Sequence, residues 1–241
     1  MRRFLPFLIV ALVAAVAFGG GYALYRAKLT PAPTPTPPTK KETASEKESP
    51  SKNATPPTKI TPAPGGHVRG GGESAVVTIE EYGDFECPPC SLMAAFLKKT
   101  EEEYGARLRV TFHNFPLAMH PHARPAAQVA EAADLQGRYW EMHDLLYQEQ
   151  VKWAKGADPE AVWTSFAEKL GLDMERFKKD RESEVVKERI NADHTMGMSR
   201  GVTSTPTLFL NNTLVPPTSL NPDSLHKLIE AALAEHEKPK P

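Results

Sequence analysis

The 241-residue chain contains only two cysteines, Cys87 and Cys90. It therefore lacks the thiols for a disulfide-stapled scaffold or a four-cysteine zinc site. It also lacks an excess of either charge, because 29 Lys and Arg residues stand against 30 Asp and Glu residues. The basic surplus typical of nucleic-acid-binding proteins is missing, and we expect no nucleic acid partner. No internal repeat is visible, which excludes solenoid architectures.

An uncharged run of 22 residues, Phe4–Tyr25, follows Arg2 and Arg3. As a helix it would be about 33 Å long, against a bilayer hydrocarbon core of about 30 Å. We interpret residues 1–28 as a transmembrane anchor, with a cleaved signal peptide as the alternative. The alternative stays open because Ala15-Val16-Ala17 offers a small-residue cleavage site. Both interpretations predict export of the rest of the chain.

Residues 29–74 are rich in Pro, Thr, Ser and Lys and have almost no apolar side chains. Ten of the 23 prolines fall between Pro31 and Pro64. Such a segment buries too little apolar surface to offset the entropy of ordering it. We interpret it as a disordered tether between the membrane and a folded domain.

Residues 75–237 are long enough for one domain with its own core. The order of the predicted elements indicates an α/β fold, a mixed sheet flanked by helices. The elements are an apolar strand, an amphipathic helix, a second strand, several helical stretches, a hairpin and a last helix. We expect a helical insert at about residues 118–198. The first helix is predicted to turn Leu92, Met93, Phe96 and Leu97 inward. The predicted strands are Ala75–Ile79, Leu108–Phe112, Thr207–Leu210 and Thr213–Val215, and the predicted terminal helices are Pro88–Tyr104 and Pro222–His236.

The sequence Cys87-Pro88-Pro89-Cys90 lies at the junction of the first strand and the first helix. The positive end of a helix favours a thiolate, so the pKa of Cys87 should fall below about 8.5. We expect Cys87 to be the exposed nucleophile and Cys90, one turn later, to be more buried and to form a disulfide with it. Half of a zinc knuckle is the alternative, but no second cysteine pair exists and the histidines show no metal spacing.

Two further positions lie close to this pair in the predicted fold. Glu81 is in phase with Val77 and Ile79, which favours a buried carboxylate of raised pKa that exchanges a proton with Cys90. A solvated Glu81 is the alternative, as we expect for Glu80. Thr205-Pro206 precedes a strand, where a cis peptide bond would direct the Thr205 backbone toward the thiols, although base rates favour trans.

The chain resembles the DsbA-like thiol:disulfide oxidoreductases of the thioredoxin superfamily over most of residues 75–235. The resemblance implies a thioredoxin fold with a helical insert, attack by Cys87, resolution by Cys90, Glu81 as the buried acid and a cis Pro206. The helix that contains Trp140 and Met142 is interpreted as core without a catalytic role. Three separated segments carry the resemblance: Glu81-Tyr82-Gly83-Asp84-Phe85-Glu86-Cys87-Pro88-Pro89-Cys90, Gly137-Arg138-Tyr139-Trp140-Glu141-Met142-His143-Asp144 and Gly201-Val202-Thr203-Ser204-Thr205-Pro206-Thr207.

We expect this enzyme to act without a cofactor or metal, as a monomer in the bacterial envelope, on the extracytoplasmic or periplasmic face of the inner membrane. Its expected partners are cysteine-containing exported proteins, contacted by Thr205, Pro88 and Pro89, and a membrane redox partner. An oxidase recharged by a quinone-linked protein is favoured over a reductase, and a non-catalytic binding module or metal chaperone is a third hypothesis. Because Pro88 and Pro89 cannot donate backbone hydrogen bonds to Cys87, we predict a reduction potential between thioredoxin and strong oxidases.

Overall fold

The computed structural model describes residues 65–72, 75–156 and 158–237. Within them, five strands form one mixed sheet in the order β1-β3-β2-β4-β5. β2 and β3 are parallel, and the other neighbours are antiparallel. The predicted mixed α/β sheet is therefore confirmed. The strands are β1 His67–Gly70, β2 Val77–Gly83, β3 Leu108–Asn114, β4 Thr207–Leu210 and β5 Thr213–Leu214.

One helix follows β2, six lie between β3 and β4, and one closes the described chain. The six form the helical insert that the sequence predicted. Short 3-10 turns at Gly105–Arg107 and Pro217–Ser219 join elements. The helices are α1 Pro88–Tyr104, α2 Ala123–Asp134, α3 Tyr139–Gln148, α4 Gln150–Ala154, α5 Pro159–Lys169, α6 Met174–Arg181, α7 Glu184–Ser199 and α8 Pro222–Glu237.

Strand β2 lies at the centre of the sheet, and all seven of its residues are buried. Val77 and Ile79 pack in one cluster with Leu97 of α1 and Ile229 of α8, so these two helices cover one face. Tyr82 lies on the other face, where Gly197 lets α7 come close. A Cβ at Gly197 would lie 2.9 Å from the Tyr82 ring. A sheet covered on both faces explains why β2 reads as a nearly unbroken buried run.

The structure corrects three details of the prediction. The domain was predicted to start at Ala75, but strand β1 lies within the predicted tether and pairs with β3 in the register His67↔Phe112. Leu92 was predicted to face inward, yet it is 76 % exposed. The first strand was predicted to end at Ile79, but it continues through Glu80 and Glu81 to Gly83.

No helix within residues 65–72, 75–156 and 158–237 is long and apolar enough to cross a membrane. The anchor or signal peptide predicted at residues 1–28 and most of the predicted tether lie outside the described residues.

Candidate functional site

The two cysteines lie at the start of α1, in the place that the sequence predicted. Cys87 caps the helix, and Pro88 and Pro89 occupy its first positions, where a missing N–H breaks no helical hydrogen bond. The Cys87 N–H donates to the Asp84 carbonyl at 3.1 Å, and the Cys87 carbonyl accepts from Cys90 N–H at 3.1 Å. The turn between β2 and α1 thus fixes both sulfur atoms relative to the helix.

Both thiols are free and both are buried. Cys87 is 4 % exposed and Cys90 is fully buried, so the predicted order of exposure is correct, but Cys87 is less exposed than the sequence suggested. The flanking Pro88 and Pro89 are exposed at the surface.

The surroundings separate the two thiols chemically. The pKa of Cys87 is lowered to about 6, and the largest cause is the hydrogen bond that the Cys90 thiol donates to its sulfur. The Thr205 side chain and the Cys90 backbone N–H contribute to this lowering, against the opposing effects of burial and of Asp84. Burial and the Cys87 contact raise the pKa of Cys90 well above its ordinary value. At neutral pH, Cys87 is mainly a thiolate and Cys90 is a thiol.

This arrangement refines the expectation for the double proline. Neither Pro88 nor Pro89 has an N–H, so the first backbone donor of α1 is that of Cys90. The Cys87 thiolate therefore receives its hydrogen bonds from Cys90 and Thr205 and none from the intervening dipeptide.

Glu81 lies on the face of β2 that carries Val77 and Ile79 and is 1 % exposed, as its phase on the strand predicted. Burial raises its pKa to about 8, a shift that Arg69 moderates. The expectation that Glu80 is solvated is wrong. Glu80 is equally buried, on the opposite face, where Arg200 Nη1 donates to its Oε2 at 2.8 Å. The distant Arg200 makes burial of this second charge tolerable, which no local pattern could indicate.

The Thr205–Pro206 peptide bond is cis, as the family resemblance implied. The Cys87 thiol lies 3.4 Å from the Thr205 carbonyl oxygen, within hydrogen-bonding distance for sulfur. The Thr205 hydroxyl is buried and has no other partner among the described residues, which leaves it free to donate to a thiolate. The loop before β4 therefore touches the reactive sulfur directly.

The insert supplies two contacts to the thiol turn that the sequence did not indicate. The Gln150 side-chain amide donates to the Phe85 carbonyl at 2.7 Å and to the Cys87 carbonyl at 2.9 Å. The buried Asp84 carboxylate accepts from the Leu117 N–H at 2.9 Å and pairs with His120 Nδ1 at 2.7 Å. These residues lie 33 or more positions from their partners, so no spacing rule could connect them.

A metal centre at the thiols finds no support in the described part of the chain. The one group of three potential ligands found there is His67, Glu131 and Asp134, and it contains neither cysteine. Arg189 already pairs with Asp134 at 2.6 Å, and His67 contacts one carboxylate through each ring nitrogen, at 2.7 and 3.4 Å. A histidine held this way is an imidazolium in an ion network, with no lone pair to offer a metal.

Parts of this chain are similar to known proteins in sequence and in structure. Part of the chain is 40 % identical over 149 residues to a Na(+)/H(+) antiporter NhaA 1 of Salinispora arenicola, a match covering 60 % of this chain and 21 % of the antiporter. The chain thus spans about a fifth of the length of that relative.

Two solved structures share the fold. A thioredoxin-like oxidoreductase from Silicibacter pomeroyi superposes with a TM-score of 0.61 at 24 % identity, covering 71 % of this chain and 94 % of that one. Pseudomonas aeruginosa DsbA2 superposes with a TM-score of 0.57 at 24 % identity, covering 74 % of this chain and all of that one, 100 %. The helical insert is consistent with these DsbA-like neighbours.

A family model described as thioredoxin matches residues 63–231, which include every strand, the thiol pair and the cis Pro206. The sheet and the helical insert agree with that match. This chain therefore belongs to the thioredoxin family and has a DsbA-like fold.

Proposed function

We propose that the chain is an exported thiol:disulfide oxidoreductase that donates a Cys87–Cys90 disulfide to cysteine-containing envelope or secreted proteins. The observation that carries the proposal is the pairing of two unlike thiols. Cys87 has its pKa lowered to about 6, and it lies beside a fully buried Cys90 and 3.4 Å from the Thr205 carbonyl. A sulfur that is easily ionised is both a good attacking group near neutral pH and a good leaving group.

Oxidation of a substrate proceeds in two exchanges. A substrate thiolate attacks Cys87 Sγ in the disulfide, the Cys87–Cys90 bond breaks, and Cys90 leaves and takes a proton from Glu81. A second substrate thiolate then attacks the substrate sulfur of the mixed disulfide, and Cys87 leaves as a thiolate. The two electrons of the substrate dithiol end on the cysteine pair, which is then reduced. Glu81, with its pKa near 8, can return to its protonated form at neutral pH.

Thr205 and the exposed Pro88 and Pro89 form the proposed contact with the substrate. The Thr205 carbonyl and hydroxyl lie beside Cys87, where an extended substrate segment could pair with them. Exposed apolar side chains stand close in sequence to residues of this turn or to residues that contact it: Leu92 lies two residues after Cys90, Met119 precedes His120, and Val151 follows Gln150. An apolar border of this kind suits unfolded protein segments that still expose their cores.

The stability of the Cys87 thiolate determines how oxidising the cysteine pair is. Stabilising the reduced form makes a disulfide more oxidising, and reduction potentials range from about −270 mV for thioredoxin to about −120 mV for DsbA. Cysteine pKa values in the same two proteins are about 7 and about 3.5. Since the pKa of Cys87 is about 6, we expect a potential between those limits. A potential in that range permits oxidation of exported dithiols by a pair that is kept oxidised, and the redox state of the pair in cells decides the direction.

The proposed location is the extracytoplasmic or periplasmic face of a bacterial inner membrane, held by the N-terminal run Phe4–Tyr25. A domain tethered there would meet exported chains as they emerge and would be reoxidised by a quinone-linked membrane protein. Cell fractionation of the full chain tests this. The expected result is recovery in the membrane fraction at full size, whereas a soluble, shortened form would establish a cleaved signal peptide.

Trapping tests the exchange itself. Cys90→Ser removes the resolving thiol, so substrates should accumulate as mixed disulfides on Cys87, released by a reductant and identified by mass spectrometry. The double variant Cys87→Ser, Cys90→Ser is the matched control and should trap none. No mixed disulfide on Cys90→Ser, or activity retained in Cys87→Ser, would instead support a binding module.

Alkylation of the thiols in cells separates the two directions. A mostly oxidised Cys87–Cys90 pair supports donation of disulfides. A mostly reduced pair would establish a reductase supplied with electrons from the cytoplasm.

A further inference from the structure

Four buried polar atoms on the Glu81 side of the sheet lack a hydrogen-bond partner among the described residues. They are Glu81 Oε1, Tyr147 OH, Tyr139 OH and His143 Nε2. Buried polar groups are nearly always bonded to protein or to ordered water. Four such atoms in one aromatic-lined region indicate a polar pocket that internal water bridges.

These atoms lie close to one another. Tyr147 OH lies 3.0 Å from the point where a Cβ on Gly83 would stand. Gly83 shares a face of β2 with Glu81, two residues away, or about 7 Å along the strand. Besides burial, which is the largest cause, Glu81 contributes to the raised pKa of Tyr147, so the two side chains are close enough to interact. The absence of a side chain at Gly83 is what leaves room for the Tyr147 hydroxyl.

His143 adjoins the same pocket. Its ring centroid lies 4.9 Å from that of Tyr147 and 4.9 Å from that of Phe112. Phe112 is directly opposite Glu81 in the β2–β3 register. His143 is thus the next polar side chain after Tyr147 on the way out from Glu81.

From His143 the way out to solvent is short. His143 Nδ1 lies 3.1 Å from Asp144 Oδ1, and the Asp144 side chain is 19 % exposed. Asp144 and Lys98 both line a surface cavity of about 380 Å³. The polar groups therefore run from beneath Cys90 to the surface between α1 and α3.

We propose that Tyr147 and His143, with bridging water, form the proton path that connects Glu81 to solvent at Asp144. The proposal rests on the proposed exchange reaction and identifies the residues that carry protons to and from its buried acid, Glu81. Tyr147 and His143 act through Glu81, and so they are positioning residues for its proton. The helix α3, which the sequence assigned to the core alone, then takes part in the chemistry.

The proton balance is simple. When Cys90 leaves as a thiolate, it takes the Glu81 proton, and the resulting carboxylate is reprotonated from solvent at the Asp144 end of the path, through His143, the water and Tyr147. When Cys90 attacks the mixed disulfide, its proton passes to Glu81 and leaves by the same route. The substrate sulfur departs as a thiolate, and no further oxidant or reductant is needed.

The charges around the path suit this role. Burial lowers the pKa of His143 to about 4, with Asp144 opposing and Arg69 and His67 adding to the effect. His143 is therefore neutral, with Nδ1–H donating to Asp144 and Nε2 accepting in the pocket. Burial raises the pKa of Tyr147 well above its ordinary value, so it keeps its proton. Facing Glu81, Arg69 favours the carboxylate and Cys87 opposes it.

The experiment separates the two steps of one turnover in the full-length reduced protein. A cysteine peptide activated as its 5-thio-2-nitrobenzoate disulfide is added between pH 5 and 9. Attack by Cys87 releases the chromophore and reports the first step. Attack by Cys90 releases the peptide and is followed by acid quench and mass spectrometry. The variants are Tyr147→Phe and His143→Gln. The control is Tyr82→Phe, the same change on the opposite face of β2.

Both variants should slow peptide release about 10-fold, a fraction of what proton transfer contributes to catalysis, and shift its pH profile. Chromophore release should change by less than about 2-fold, and Tyr82→Phe should leave both steps unchanged. Unaltered peptide release in the variants, or equal slowing of both steps, would overturn the proposal. Since Tyr147→Phe removes one oxygen atom, it decides the matter if His143→Gln fails to fold. Failure of the wild type to form or resolve a mixed disulfide would instead contradict the proposed function.

Discussion

Glu80 and Glu81 are consecutive residues of β2 and equally buried, yet they lie in opposite chemical environments. Glu80 pairs with Arg200 at 2.8 Å and lies 3.6 Å from His113, so its charge is compensated within the sheet face that α7 covers. Glu81 has an oxygen without a partner among the described residues, and its pKa is raised to about 8. One face of the sheet holds a buried carboxylate that is paired with a cation, and the other holds a buried carboxylate of raised pKa, the group that we propose exchanges a proton with Cys90.

The network on the Glu80 face extends well beyond one ion pair. Asp193 of α7 accepts from the Asn114 backbone N–H at 2.9 Å and contacts His113 Nδ1 at 3.1 Å. Burial alone would lower the pKa of His113, but Asp193 and Glu80 raise it. The insert is thus joined to the sheet by paired charges on this face, whereas Glu81 Oε1 beneath the thiols has no hydrogen-bond partner among the described residues.

The largest expected change in the free energy of unfolding comes from removing Arg200, the cation that pairs with Glu80. Arg200→Leu should destabilise the domain by about 3–5 kcal/mol, because a buried carboxylate loses its main counter-charge. Urea unfolding at pH 7 measures this. Arg189→Leu is the control, because the Arg189 side chain is 42 % exposed and such pairs contribute about 1 kcal/mol or less. Equal losses in the two variants would contradict the distinction between the faces.

Glu81→Gln should have the opposite sign. The folded pKa of about 8 lies above the ordinary 4.5, so the stability linked to the Glu81 proton is complete below pH 4.5 and is lost as the pH rises toward 8. Glutamine does not titrate, so the variant should gain about 1.4 kcal/mol per pH unit relative to wild type across that window. Unfolding at pH 5, 6 and 7 measures the trend, and Glu80→Gln should show destabilisation. A pH-independent difference for Glu81→Gln would show that this carboxylate is not shifted.

A smaller loss of stability is expected when the contact between the insert and the thiol turn is removed. Gln150→Leu removes two hydrogen bonds to the Phe85 and Cys87 carbonyls and should cost about 2 kcal/mol. It should also change the Cys87 thiolate titration, which the absorbance at 240 nm reports, because the helix start loses a fixed contact. The exposed Gln148→Leu is the control and should stay within about 0.5 kcal/mol of wild type. An unchanged titration in Gln150→Leu would confine this residue to stability.

The smallest effect concerns the edge strand. Burial opposes protonation of His67, but the carboxylates of Asp134 and Glu131 raise its pKa to about 9. Its stabilisation is therefore complete below about pH 6.5 and lost as the pH rises through 9. His67→Gln should cost about 1–2 kcal/mol at pH 8 and almost nothing at pH 10. Thermal unfolding against pH measures the convergence, with the exposed His236→Gln as control. A constant difference would mean that packing of the ring, and not its charge, holds β1.

What could be predicted from the sequence was local. Helix α1 has the predicted limits, because Pro88 and Pro89 are suited to a helix start and the following residues favour its continuation. The burial of Glu81 followed from the two-residue period of a strand. Pro206 required the family resemblance, since the residues alone favour a trans bond.

What escaped prediction depends on partners far along the chain. Glu80 is separated by 120 residues from Arg200, and without that cation a buried position would have been unfavourable. Strand β1 lies in a Gly-rich stretch and exists because β3 offers an edge and α2 offers carboxylates for His67. Leu92 follows the helical period of its neighbours but projects past the sheet into solvent. Gln150 had no signal at all, because only the folded insert brings it to Cys87.

The complete burial of Cys90 decides how this protein responds to peroxide. Oxidants can reach only Cys87, whose thiolate would become a sulfenic acid first. Cys90 then condenses with it to a disulfide and releases water, before the irreversible sulfinic stage is reached. Oxidative attack would thus yield the Cys87–Cys90 disulfide that the proposed oxidase donates, and lasting damage would be confined to molecules whose second thiol has been lost.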